Sequence, residues 1–203
     1  MTEEIIDNMD NGTAICFIGF PGAGKTTAAK QMAEIIGTPL FTSTGDIVRE
    51  LAADHFDTDL DSLTGEEIGE FSTMKRENDS PLYVAREVVE RNRADWRWPE
   101  FPLVLEGVRD SEAAAFYRDA FEQFIIVFIH APFQERVSRL ADRSREEDEE
   151  EYSIADLMHR EKRELSWGMD ELPDESDYVV MNTGNVNQLE HKLADIVEDL
   201  VNG

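Results

Sequence analysis

The chain has 203 residues, the length of one domain with room for a small subdomain. Its 45 acidic and 19 basic side chains give a formal net charge of −26, and the acidic residues are spread along the whole chain. Because a protein that binds nucleic acid broadly needs a cationic surface, this charge argues against a general nucleic-acid binder. No apolar run approaches the roughly 20 residues that span a bilayer, which argues against a membrane protein.

Short apolar segments alternate with amphipathic segments, which is the pattern of a parallel sheet covered by helices. The predicted strands cover residues 14–18, 39–41, 103–105, 124–129 and 178–181. The predicted helices cover residues 25–36, 46–55, 65–78, 81–93, 111–121, 133–143, 154–167 and 186–201. About 60 residues separate the second strand from the third, too many for a single crossover helix. We therefore expect a helical excursion between these two strands.

The first predicted strand leads into GFPGAGKT at residues 19–26, a full match to the pattern GxxxxGK[ST]. Glycines in such a P-loop leave room for backbone N–H groups to surround a phosphate, and the following helix N-terminus adds partial positive charge. We expect Lys25 to bridge the β- and γ-phosphates of a nucleotide and the Thr26 hydroxyl to ligate Mg²⁺. The predicted nucleotide-binding residues of the loop are Gly19, Pro21, Gly22, Ala23, Gly24, Lys25, Thr26 and Thr27.

Two further motifs follow the second and third predicted strands, namely TGDIVR at residues 44–49 and EGVR at residues 106–109. With these motifs the sequence resembles the nucleoside monophosphate kinase branch of P-loop proteins. It also resembles an archaeal family described as adenylate-kinase-like or dephospho-CoA-kinase-like, and the likeness extends over nearly the whole chain. The resemblance implies that both motifs hold the phosphoryl acceptor. The acceptor-binding residues would be Thr44, Gly45, Asp46, Arg49, Gly107 and Arg109.

Arg49 and Arg109 suit phosphoryl transfer independently of the resemblance. Transfer between two anionic substrates needs several fixed cations, and each arginine follows a strand by a few residues. The carboxyl ends of parallel strands meet at one edge of a sheet, so we expect both side chains near the P-loop. There they would clamp the phosphate of the acceptor.

Two acidic residues are candidates for the metal shell or for proton transfer. Glu106 ends the third predicted strand, where P-loop proteins keep an acidic group for magnesium. The resembled kinases usually have Asp at this position, and Glu106 is a departure from that pattern. The resemblance implies that Glu106 ligates Mg²⁺, either directly or through a water molecule. Asp46 could orient or deprotonate the acceptor hydroxyl, reach magnesium through water, or cap the helix that follows. The predicted catalytic residues are Lys25, Asp46, Arg109, Arg139 and Arg143.

An arginine-rich segment follows the fourth predicted strand and places Arg136, Arg139 and Arg143 along one helical face. In the resembled kinases this helix leads into a lid that closes over the nucleotide, which implies phosphate contacts for its arginines. The arginines predicted for the lid are Arg139, Arg143, Arg145, Arg160 and Arg163. Because an acidic run at residues 146–151 lies between them, ion pairing within the lid is the alternative.

The segment after the fifth predicted strand, MNTG at residues 181–184, resembles the loop that packs near the nucleotide base in these kinases. The resemblance implies that Asn182 and Gly184 bind the nucleotide, together with Arg139. Such a loop often contacts the base through backbone groups. The side chains of this loop therefore do not predict whether the protein prefers ATP or GTP.

These patterns predict an α/β P-loop NTPase fold with five parallel strands and helices on both faces, and the resemblance to P-loop kinases implies the strand order 2-3-1-4-5. The core would consist of residues 13–50, 101–140 and 168–203, with an acceptor-binding helical excursion at about 51–100 and a lid at about 141–165. The expected reaction is transfer of the γ-phosphoryl group of ATP, with Mg²⁺, to a small phosphate-bearing acceptor. A nucleoside monophosphate is the leading acceptor and dephospho-CoA the alternative. A regulatory NTPase is one competing function, and a kinase or NTPase that acts on RNA ends or in ribosome assembly is another.

Composition adds an expectation about the cellular setting. Only five of the 19 cationic residues are lysines, and a Lys-poor, acidic surface resembles those of cytoplasmic proteins from salt-loving archaea. Residues 1–11 show no signal-peptide pattern, which favours a cytoplasmic protein. Cys16 is the single cysteine and lies within an apolar strand, so we expect a buried core residue rather than a reactive thiol.

Overall fold

The structure is a computed structural model that describes Met9, residues 12–146 and residues 153–202, with side chains up to residue 142 in the second segment. The strands are β1 (Thr13–Ile18), β2 (Phe41–Ser43), β3 (Leu103–Glu106), β4 (Gln123–His130) and β5 (Tyr178–Met181). The helices are α1 (Lys25–Ile36), α2 (Thr44–Phe56), α3 (Gly65–Asn78), α4 (Tyr83–Ala94), α5 (Ser111–Ala120), α6 (Phe133–Glu146), α7 (Ile154–Ser166) and α8 (Val186–Asn202). Two short 3-10 turns lie at Leu60–Ser62 and Leu172–Glu175.

The five strands form one parallel sheet in the order β2-β3-β1-β4-β5, which confirms the predicted fold. β1 lies at the centre, and all six of its residues are buried. A strand covered on both faces has no solvent-facing side, and this explains why β1 and most of β4 are apolar runs without alternation. Within the described segments, no helix is long and apolar enough to cross a membrane.

The two faces of the sheet carry separate apolar cores because alternate residues of a strand point to opposite sides. On one face, Cys16 packs in a cluster with Tyr117 of α5. On the other face, Phe17 packs in a cluster with Met32 of α1 and Leu193 of α8. Cys16 is fully buried, and burial raises the pKa of its thiol, so the predicted core role agrees with its position.

The second strand lies two residues later than predicted, at residues 41–43 instead of 39–41. Pro39 has no N–H to donate to a neighbouring strand, and Leu40 N–H bonds to the Thr38 side chain within a turn. The ladder therefore continues through the polar residues Thr42 and Ser43, which pair with the end of β3. Apolar character alone placed this strand too early.

Helices α2, α3 and α4 occupy the connection between β2 and β3, as the chain length predicted. They share a small cluster of their own around Ala52, Phe71 and Tyr83, and the Tyr83 hydroxyl bonds to Ser72 Oγ at 2.9 Å. Both α2 and α6 run continuously across the predicted boundaries, near residues 50 and 140. The division into core, excursion and lid stays a prediction.

Candidate functional site

The P-loop lies between β1 and α1, at the carboxyl edge of the sheet. A bond of 3.0 Å from Ala23 N–H to the Phe20 carbonyl closes its turn, and Lys25 Nζ donates to the same carbonyl at 3.3 Å. Gly24 has a φ of 96°, and a Cβ there would lie 2.5 Å from Asn182 Nδ2. Gly24 thus fits because it has no side chain. The remaining predicted loop residues are Gly19, Pro21 and Gly22 in the turn, with Thr26 and Thr27 exposed at the start of α1.

Lys25 is 7% exposed, although it is a charged side chain. Burial, and after it the positive charge of Arg109, lowers the pKa of Lys25 to about 8. The carboxylates of Glu106 and Glu164 act in the opposite direction and favour the charged lysine. The fold therefore brings residues from the P-loop, β3 and α7 into one electrostatic cluster.

Glu106 ends β3 and is buried, as expected for a carboxylate beside the P-loop. Its Oε1 accepts a hydrogen bond of 2.9 Å from Ser43 Oγ, across the β2–β3 ladder. Ser43 Oγ in turn accepts the Asp46 N–H at 3.3 Å and caps α2. Ser43 was not predicted as a site residue. Its position directly before the TGDIVR motif was the signal in the sequence, and the structure adds that it lies opposite Glu106.

Asp46 does not cap a helix, so that alternative for its role was wrong. Helix α2 begins at Thr44, two residues before the predicted start, because Ser43 supplies the cap. The Asp46 side chain is 65% exposed and lies 3.4 Å from Arg49 Nη1. Its roles as a base or in the metal shell stay predictions.

Arg109 lies in the site at 16% exposure, with its Nε 3.3 Å from Glu164 Oε1. The loop that carries it packs tightly on the start of α2, because a Cβ at Gly107 would lie 2.3 Å from Thr44 Oγ1. Arg49 is about half exposed and forms its ion pair with Asp46, with Gly45 also exposed beside them. The two arginines expected to work together thus have different surroundings.

Arg139 and Asn182, both predicted to bind nucleotide, contact the P-loop backbone. Arg139 Nη1 donates to the Ala23 carbonyl at 3.2 Å, and Nη2 donates to the Asn182 carbonyl at 2.7 Å. Asn182 Nδ2 donates to the same Ala23 carbonyl at 2.8 Å. Both side chains therefore hold the loop in place. Gly184 is exposed where the chain enters α8.

Arg136 also braces the P-loop, a role that was not predicted for it. Its guanidinium is buried and donates to the carbonyls of Pro21 and Ala131, each at 3.1 Å. It also forms an ion pair with Glu161 of α7 and lies over the ring of Phe20. The signal in the sequence was that Arg136 shares a helical face with Arg139 and Arg143, but its burial cannot be read from the sequence.

Helix α7 carries two of the predicted lid arginines, and the structure places them differently. Arg160 Nε donates to Glu164 Oε1 at 3.1 Å, within the site. Arg163 lies against α3, because a Cβ at Gly69 would be 2.2 Å from Arg163 Cζ. Arg143 and Arg145 fall outside the described side chains. Glu164 was not predicted as a site residue.

The site offers oxygen ligands that fit Mg²⁺, which prefers hard donors. The Thr26 hydroxyl is exposed at the helix start and Glu106 provides a carboxylate. In the parts of the chain that the structure describes, no group of three or more His, Cys, Asp or Glu side chains could hold a metal ion. Magnesium there would need the phosphates of a nucleotide as further ligands, which is its usual way of binding in P-loop sites.

Comparison with protein families identifies relatives over most of the chain. The family model for the AAA domain matches residues 15–163. A UPF0200 protein of Methanosarcina barkeri is 34% identical over 192 residues, which cover 93% of this chain and 94% of the relative. One of Thermococcus kodakarensis is 31% identical and covers 90% of this chain and 95% of that protein. A UPF0200/UPF0201 protein of Archaeoglobus fulgidus is 32% identical, but the match spans only 54% of its length.

Comparison with solved structures shows the fold of P-loop kinases. A gluconokinase from Sinorhizobium meliloti superposes with a TM-score of 0.56 at 15% identity, covering 94% of this chain and 96% of that one. The shikimate kinase of Aquifex aeolicus gives 0.53 at 14% identity, covering 94% and 99%. At such identities the likeness extends to the fold and no further.

Proposed function

Because the chain belongs to the AAA domain family and to the UPF0200 family, and has the fold of P-loop kinases, we propose that it is an ATP-dependent kinase of a small molecule. With Mg²⁺, it transfers the γ-phosphoryl group of ATP to a phosphate-bearing acceptor, and a nucleoside monophosphate is the acceptor we propose first. Dephospho-CoA is the second acceptor to test. Two solved structures that share this fold are named as kinases.

The observation that carries this proposal is the convergence of Lys25, Glu106 and Arg109 at one edge of the sheet. Lys25 comes from the P-loop, Glu106 ends β3 and Arg109 follows it, and the charges of Glu106 and Arg109 both act on Lys25. A site that only binds a nucleotide needs the lysine and the metal. An additional, largely buried arginine beside them suits the transfer of a phosphoryl group to a second anion.

Each residue has a defined part in the proposed reaction. The P-loop N–H groups and Lys25 hold the phosphates of ATP, and a bound phosphate favours the charged form of Lys25. Thr26 and Glu106 would hold Mg²⁺, which supplies charge neutralisation to the phosphate oxygens when it is bound. Ser43 keeps the Glu106 carboxylate oriented through a bond of 2.9 Å. Arg109 binds the acceptor phosphate or the group in transfer.

A transfer assay with labelled ATP tests the proposal. The assay is run in molar KCl with Mg²⁺ against a panel of nucleoside monophosphates and dephospho-CoA, because the chain is strongly acidic. We expect rapid turnover of one acceptor. Lys25→Ala should lower this rate by roughly 10²-fold or more, as does loss of other charge-stabilising groups. Lys30→Ala is the matched control, since Lys30 is an exposed lysine of the same helix α1.

Three outcomes would change the assignment. An undiminished rate in Lys25→Ala would remove the P-loop from the mechanism. Turnover of dephospho-CoA alone would replace the nucleoside monophosphate as acceptor. Slow hydrolysis of ATP with no response to any acceptor would support a regulatory NTPase, in which Arg109 has a structural role.

A further inference from the structure

Glu164 lies at the meeting point of two arginines that come from different parts of the fold. Its side chain is only 4% exposed, on the inner face of α7. Its Oε1 lies 3.3 Å from Arg109 Nε, which follows β3, and 3.1 Å from Arg160 Nε, on α7 itself. One carboxylate oxygen therefore serves two guanidinium groups.

The second oxygen of this carboxylate is buried and receives no hydrogen bond from the residues that the structure describes. A buried carboxylate oxygen without a donor costs free energy, because water no longer solvates it. An ion pair that served only to stabilise the fold would be expected to satisfy both oxygens. Within the described residues, Oε1 of Glu164 thus takes both arginine contacts, and Oε2 takes no hydrogen bond.

Glu164 also influences the P-loop lysine. Its charge acts on Lys25, the residue proposed to hold the phosphates of ATP. Although burial by itself would raise the pKa of Glu164, the positive charges of Arg109, Arg160 and Lys25 outweigh it and hold that pKa below its ordinary value. Two arginines thus contact one carboxylate, and the charge of Lys25 also acts on it, a set of cations that would suit a phosphate group as well.

We propose that Glu164 is an internal anion that competes with the nucleotide phosphates for Lys25, Arg109 and Arg160. The inference rests on the proposed function, because it assumes that these cations bind a polyphosphate. With Glu164 charged, the cluster of Lys25, Arg109, Arg160 and the two carboxylates Glu106 and Glu164 has a formal charge of +1. Neutral Glu164 would leave +2, so a bound polyphosphate meets weaker attraction while Glu164 holds the arginines.

The expected size of the effect follows from competition between two arrangements. If the arrangement that accepts phosphate is populated about one tenth of the time, the apparent Kd is about tenfold higher than the intrinsic Kd. Removing the charge of Glu164 removes the competitor. Binding should then become tighter, whereas the loss of a merely structural contact would leave it unchanged or weaken it.

Calorimetric titration with inorganic triphosphate and Mg²⁺ tests this, because the probe carries neither a base nor a phosphoryl acceptor. We expect Glu164→Gln to lower the Kd for triphosphate about tenfold relative to the wild type. Glu161→Gln is the matched control, since Glu161 is also a largely buried glutamate of α7 paired with an arginine. Its partner Arg136 bonds to the Pro21 carbonyl, so this control should not tighten binding.

Two further variants keep the test decisive if Glu164→Gln does not fold, which thermal unfolding reports. Glu164→Ala removes the charge and the reach, and should also tighten binding. Glu164→Asp keeps the charge on a shorter side chain, so its affinity for triphosphate should increase less than that of Glu164→Gln or Glu164→Ala. Triphosphate binding that is unchanged or weaker in the folded neutral variants would overturn the inference and leave the proposed kinase intact. Failure of the wild type to bind triphosphate at all would overturn both.

Discussion

Lys25 lies at the start of α1, buried and under the influence of the charges of Arg109, Glu106 and Glu164. The motif predicts a cation at this position, and the fold buries it beside Arg109, which lowers its pKa to about 8. A lysine that titrates near 8 is charged at neutral pH but loses its charge within the ordinary working range of an enzyme. The activity of the site should therefore fall as the pH rises above about 8.

This residue yields a pH prediction. Protonated Lys25 binds phosphate and neutral Lys25 does not, so kcat/KM for ATP should fall as the pH rises above about 8. A profile from pH 6 to pH 10 measures this. In Lys25→Arg the guanidinium stays charged over the whole range, so any remaining activity should show no such fall. A wild-type profile that stays level to pH 10 would contradict the assignment.

Gly107 gives a prediction on stability at the same scale. Its φ of 103° is unfavourable for other residues, and a Cβ would lie 2.3 Å from Thr44 Oγ1. Gly107→Ala should lower the free energy of unfolding by about 2 kcal/mol or more. Chemical denaturation measures it. Gly65→Ala is the control, because nothing lies within 4 Å of a Cβ there, and it should change stability by less than about 1 kcal/mol.

At the scale of elements, α6 holds the P-loop from outside the phosphate site. Arg136 and Arg139 of this helix donate to the carbonyls of Pro21 and Ala23, and Arg136 also pairs with Glu161 of α7. Arg139 was predicted to bind the nucleotide, and that role stays a prediction. Both arginines order the loop that carries the phosphate-binding N–H groups, while Arg160 of α7 contacts Glu164 in the site.

Removal of the Arg136 side chain should therefore affect both stability and nucleotide binding. Arg136→Ala leaves Glu161, itself largely buried, without this partner, so we expect a loss of about 3 kcal/mol in the free energy of unfolding. ATP should also bind more weakly, because the Pro21 carbonyl loses its donor. Denaturation and calorimetric titration measure the two effects. Arg118→Ala breaks an exposed pair with Glu175, and a cost equal to that of Arg136→Ala would contradict this prediction.

At the scale of the whole molecule, the net charge of −26 is the dominant electrostatic feature. Like charges spread over one compact chain repel one another, and the repulsion is larger in the folded state than in the expanded one. Salt shortens its range from about 10 Å at 0.1 M to about 3 Å at 1 M. Salt should thus stabilise the folded protein.

The melting temperature should rise as KCl increases from 0.1 M to 2 M, and thermal unfolding at a series of concentrations measures it. Screening depends on ionic strength, so NaCl should act in the same way at each concentration. A melting temperature that responds to neither salt would contradict this prediction.

The alternation of strands and helices and the position of the P-loop could be predicted because their signals are local, whereas the order of the strands was predicted from the resemblance to P-loop kinases. Apolar runs of strand length, amphipathic helices between them and the spacing of GFPGAGKT lie within short segments. A parallel sheet then places strand ends at one edge, which is why Glu106 and Arg109 were found. The start of α2 was predicted two residues late because Ser43 and Asp46 are both suitable caps, and local sequence does not choose between them.

The sequence by itself therefore determined the class of fold, the phosphate-binding loop and the acidic character of the protein. Only the tertiary structure decided which charges share the site. Glu164 of α7 contacts Arg109, which follows β3, and acts on Lys25 of the P-loop, and no short-range pattern records this long-range contact. Charge interactions depend on distance and burial in the folded chain, so the balance among Lys25, Arg109 and Glu164 exists only after folding.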